Sequence, residues 1–114
     1  MPDEWRWIEF TVERITPFEG DVLIAGRVLT GPIRLGDVFE EVFQVEHQRV
    51  DEAFDGSSRK SLRAMEARVM GIRAYRTELD EIHGGMTCEL RLTGASPADF
   101  ALKTVLVGEM LRPQ

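Results

Sequence analysis

The sequence predicts an all-β domain built as a small closed barrel. The first observation is the stretch from Asp21 to Asp37, DVLIAGRVLTGPIRLGD. Val22, Ile24, Gly26 and Val28 fall on one face, and Leu23, Ala25, Arg27 and Leu29 on the other. Alternation of period two is the strand signature. The second observation is how that run ends. Thr30-Gly31-Pro32 breaks it, because Pro32 has no N–H for a ladder and Gly31 can take positive φ. Ile33 and Leu35 resume it, and Gly36-Asp37 makes another corner. An apolar strand that folds back twice so quickly suits a small closed β-barrel. The third observation is Met86 to Thr93, where Met86, Cys88, Leu90 and Leu92 point in and Thr87, Glu89, Arg91 and Thr93 point out.

The remaining elements follow in chain order. Trp5 to Ile15 is predicted as the first strand, with Ile8, Phe10 and Val12 on one face and Trp5, Trp7, Glu9 and Thr11 on the other. Two tryptophans opposite the core face make a candidate partner edge; the plainer alternative is that they cover a barrel end. Thr16 to Gly20 is a connecting turn. Asp37 to about His47 reads as a strand whose mixed faces suggest that it bends or is covered on both sides. Gln48 to Arg63 is polar and contains Asp55-Gly56-Ser57-Ser58, a turn signal. Ser61 to Arg68 is either a short helix or the return arm of a hairpin tipped at Asp55-Gly56, and the flanking Val45, Val50 and Phe54 favour the hairpin. Val69 to Thr77 is a strand, Glu78 to Ile82 one helical turn stopped by Gly84-Gly85, and Ser96 to Asp99 a turn or 3₁₀ piece. Thr104 to Val107 is a short final strand. The sum is about six strands in one domain, residues 1–114, with no repeat or linker.

Composition narrows the function. The formal net charge of −6 works against general nucleic-acid binding, which draws on Lys and Arg against phosphates. Cys88 is the only cysteine, so no intrachain disulfide and no cysteine-based metal site is expected. The opening MPDEWRW has no signal-peptide core, and no apolar run reaches a membrane span. A soluble cytoplasmic protein, with no membrane partner, is the expectation.

No catalytic device survives inspection. Gly26 and Gly31 have the spacing of a phosphate-cradling loop, but Pro32-Ile33 stand where Lys and Ser/Thr must be. Ser57, His47 and Asp55 lack a strained nucleophile turn. His47 and His83 complete no metal pattern. Asp80 and Glu81 are adjacent on the expected helical turn, so they face apart and form no acid/base pair. The expectation is a protein that is not an enzyme and uses no cofactor. Tyr75 and Arg76 alternate in a strand. An arginine beside an aromatic such as Phe18 can hold a carboxylate or phosphate end; the plainer alternative is a surface arginine paired with Glu78 or Glu81.

Three stretches together resemble the second domain of elongation factor Tu and related translational GTPases: Phe10 to Phe18, AGRVLTGPIRLGD from Ala25, and GIRAYRTELDEIHGGMTCELRLTG from Gly71. The resemblance implies a closed Greek-key β-barrel of six strands that is not catalytic and that offers one face to other molecules. It implies a binding face at Phe18, which matches the family's first aromatic, and at Tyr75-Arg76, which match its aromatic–arginine pair. The family's acidic pair falls on Ile15-Thr16, which is not acidic. The polar stretch from 48 to 63 is longer than the family's connection. The expected function is therefore a binding module for another protein, through Phe18, Tyr75 and Arg76 or through the Trp5/Trp7 edge. RNA, at a tRNA end or on the ribosome, is the alternative partner. A small molecule is the next, and a second copy of the chain is a candidate at the Trp edge.

Overall fold

The computed structural model describes residues 4–48 and 56–112, with side chains from 7–44 and 64–108. The strands are β1 (Glu4–Thr11), β2 (Arg14–Phe18), β3 (Asp21–Thr30), β4 (Ile33–Arg34), β5 (Val38–Gln48), β6 (Gly56–Ala74), β7 (Thr77–Leu79), β8 (Glu81–Ile82), β9 (Thr87–Thr93) and β10 (Thr104–Arg112). A 3₁₀ turn covers Pro97–Asp99.

The chain closes into a barrel. Antiparallel neighbours run β1, β10, β5, β6, β9, β3, and β3 then pairs back onto β1. These six strands form a closed antiparallel barrel. Its interior is filled by Ile8, Phe10, Val12, Val22, Ile24, Phe39, Ile72, Leu90, Leu92 and Leu106, all at most 1% exposed. The Phe10 and Phe39 rings meet there at 6.5 Å. The alternation seen in the sequence therefore sorts apolar residues inward and charged ones outward.

The expected first strand is broken in two. Pairing of Glu9 with Thr30 and Phe10 with Val28 gives way to pairing of Arg14 with Ala25 and Phe18 with Asp21, so β1 and β2 lie in tandem along β3. Between them Val12 donates to the Thr104 carbonyl and Glu13 to that of Ala25. The crossing needs Gly26: a Cβ there would stand 1.8 Å from the Thr11 carbonyl oxygen.

The described residues on either side of 49–55 are paired strands. β5 pairs with β6 out to Gln48 opposite Gly56, so residues 61–68 are strand and not helix. Asp55, at the expected tip, lies outside the described residues. β5 carries register shifts at Phe39/Glu41 and Val42/Phe43, which is the bend its mixed faces suggested. β10 runs beyond Val107 to Arg112, against β1.

The helical turn expected at Glu78 to Ile82 is absent. Leu79 pairs opposite Ile72, and Ile82 pairs with Ile33 as the short β8–β4 sheet. Ile33, Ile72 and Ile82 are all 1% exposed or less. Two apolar residues spaced to reach separate sites, with the Asp80 carbonyl accepting from Leu35 at 3.1 Å, override a weak local helix preference.

Candidate functional site

One groove lies on the outer surface, across β2, β3, β9, β6 and β7. Its layout follows from register. Thr16, Leu23, Arg91 and Gly71 form one cross-strand row; Arg14, Ala25, Glu89, Arg73 and Glu78 form the next. Phe18, opposite Asp21, stands at one end. The groove has a volume of about 200 Å³ and is lined by Phe18, Leu23, Gly71, Ile72, Arg73, Glu78, Glu89 and Arg91. Leu23 and the bare backbone of Gly71 leave a partly apolar floor. Two arginines and two glutamates balance its charge.

Arg91 is the most firmly held of these side chains. Its Nε donates to Asp21 Oδ2 at 2.8 Å. Its guanidinium carbon lies 4.8 Å from the centre of the Phe18 ring. Stacking and ion pairing together fix a side chain that would otherwise wander. The hydrogen bond from Arg91, with one from Thr93 next, holds the Asp21 carboxyl below its usual 3.8. Asp21 is therefore ionised throughout the neutral range.

The predicted site residues separate. Phe18 lines the groove, but its arginine partner is Arg91 and not Arg76. Tyr75 and Arg76 do not alternate in a strand. Ala74 pairs with Thr77, and the two residues between them form the hairpin turn, with φ of 53° and 64°. That is the type I′ geometry that Asn-Gly normally fills. Both side chains are exposed, Tyr75 by 82%. They sit in the turn that joins β6 and β7 and are not among the groove's lining residues. Glu81 pairs with Arg34 at 3.0 Å and with His83 at 3.4 Å, and among the described residues Arg76 forms an ion pair with neither Glu78 nor Glu81.

At the other candidate surface, Trp7 is 44% exposed on β1, opposite Glu109 of β10. The Trp5 side chain lies outside the described residues. No lining residue of the groove belongs to β1 or β10.

The remaining chemistry is quiet. Cys88 is buried, and burial first, with Glu89 second, pushes its thiol up to about 12. No group of three or more His, Cys, Asp or Glu among the described residues is placed to hold a metal. Register sets His47 opposite Ser57, an ordinary cross-strand pair of a hairpin. No helix of the described residues is long and apolar enough to cross a membrane.

Sequence reasoning missed Asp21, Gly71, Arg73 and Arg91 as one constellation. Arg91 was legible as outward-facing. That it meets Phe18 depends on the order β2, β3, β9, which the residues do not display.

No protein-family model matches the chain, and no curated protein matches it. Among solved structures the chain is similar to translation elongation factor SelB from Methanococcus maripaludis in its apo form, with a TM-score of 0.66 at 13% identity. The match covers 95% of this chain and 20% of that one. The likeness is therefore one of fold, between this chain and about a fifth of a translation factor.

Proposed function

We propose that this barrel is a non-catalytic, cytoplasmic, translation-related binding module, and that the outer groove receives a segment of another protein. The observation that carries the reading is the groove's mixed lining: an apolar floor at Leu23 and Gly71 with Arg73 and Arg91 set against Glu78 and Glu89. A polypeptide supplies apolar side chains and charges of both signs, whereas a phosphate chain supplies one sign only. Phe18 in the groove, with Tyr75 and Arg76 on the β6–β7 turn, supplies the aromatic and arginine side chains enriched at interfaces.

RNA is the second reading. It is favoured by arginines on an otherwise acidic chain: Arg73 and Arg91 line the groove together, and exposed Arg14 lies in the same cross-strand row as Arg73. It is favoured also by the translation-factor fold of the similar structure. Capture from lysate separates the two. The protein reading expects capture that survives RNase and moderate salt. Capture that vanishes with RNase and falls steeply with salt contradicts it in favour of RNA.

A further inference from the structure

Gly71 is a glycine that neither its backbone nor its packing requires. Its φ lies outside the left-handed region, and a Cβ built there would meet only the Arg91 Cβ, at an ordinary 3.5 Å. It follows a register shift in β6, yet its conformation is open to any residue. Glycine inside a strand weakens it and marks a bulge, a tight bend or a place where a ligand or another chain comes close; the bulge here leaves φ outside the left-handed region and does not itself demand glycine.

The side chains beside that space carry unused donors. Arg91 spends its Nε on Asp21 and one face on Phe18. Its terminal N–H groups have no acceptor among the described residues. Arg73 stands between Glu78 and Glu89 in register but makes no ion pair among the described residues.

We propose that the space over Gly71, between Arg91 and Arg73, is a carboxylate subsite that takes an Asp or Glu side chain of the bound polypeptide. The inference rests on the polypeptide reading of the groove and names what the partner presents there. A planar carboxylate matches the guanidinium fork. Asp21 and Phe18 hold that fork in place before the ligand arrives, which lowers the ordering cost of binding. Glu78 and Glu89 on the same lining disfavour a phosphate of higher charge more than a single carboxylate.

The test follows the arginine Nε–Hε signals of the full ¹⁵N-labelled chain by NMR. The probe is N-acetyl-Ala-Glu-Ala amide, which carries a single carboxylate, with sodium chloride at matched ionic strength and inorganic phosphate as controls. The glutamate peptide is expected to shift Arg91 and Arg73 saturably, while phosphate produces only the drift seen with chloride. Arg91→Gln weakens the peptide titration, read then on Arg73, roughly tenfold or more. Gly71→Leu, which keeps both arginines and fills the space, does the same, read on both. A peptide response no different from that of chloride overturns the proposal. So does a saturable phosphate response of equal strength, or a titration unchanged in both variants. Failure here with RNase-resistant capture intact removes the subsite and leaves the protein-binding reading standing. Loss of that capture to RNase removes the reading itself.

Discussion

Tyr75 and Arg76 occupy left-handed backbone, φ 53° and 64°, without being glycine or asparagine. Each such residue costs about 1–2 kcal/mol relative to ordinary helical or extended geometry. Their side chains offer no compensating burial, since both are exposed. Strain of this kind clusters where side chains act on something outside the fold. Arg76→Gly is therefore expected to raise stability by about 1 kcal/mol, or roughly 4–8 °C in melting temperature for a domain of this size. The same variant is expected to bind the captured partner more weakly. Gains in both stability and binding would contradict a contact role for Arg76. The residue types at this turn were plain in the sequence, but the turn was not. Tyr-Arg carries none of the Gly or Asn signals that mark a type I′ corner.

At the scale of elements, the best-read strands are those with one face buried. β3 and β9 alternate cleanly because they sit inside the ring with the core on one side only, and burial of Val22, Ile24, Cys88, Leu90 and Leu92 follows the pattern. The misread elements are those where contacts distant in sequence decide. Glu78 to Ile82 has helical composition, but Ile33 and the core take Ile82 and Leu79 into separate strands. The break between β1 and β2 has its cause fourteen residues beyond Val12, at Gly26. Gly26→Ala tests that cause. The added methyl cannot clear the Thr11 carbonyl without moving the backbone, so a loss of about 1–3 kcal/mol or more is expected in chemical denaturation. Wild-type stability in this variant would mean that the two strands are not pinned at that crossing.

For the molecule as a whole, closure of the ring removes most open strand edges and leaves the outer surface as the place for contact. The closed barrel was legible from alternation and corners. The groove was not, because it joins strands that are far apart in the chain and neighbours in the sheet. Its electrostatics set a further expectation. The Asp21 carboxyl's pKa is lowered in the folded state, so its contribution is complete above the unfolded value near 3.8 and disappears as pH falls through the folded one. The stability gap between the wild type and Asp21→Asn should thus be constant from neutral pH to about 4 and close below that. A gap that closes near neutrality would place the pair's energetics elsewhere.

The most direct test of the groove is to fill it. Gly71→Leu adds bulk where a Cβ meets only ordinary contact with Arg91, so the barrel should fold and melt much as the wild type does. Its capture of the RNase-resistant partner should fall at least roughly tenfold, as for loss of a central hot spot. A folded Gly71→Leu chain that binds as well as the wild type would show that the contact surface lies somewhere else.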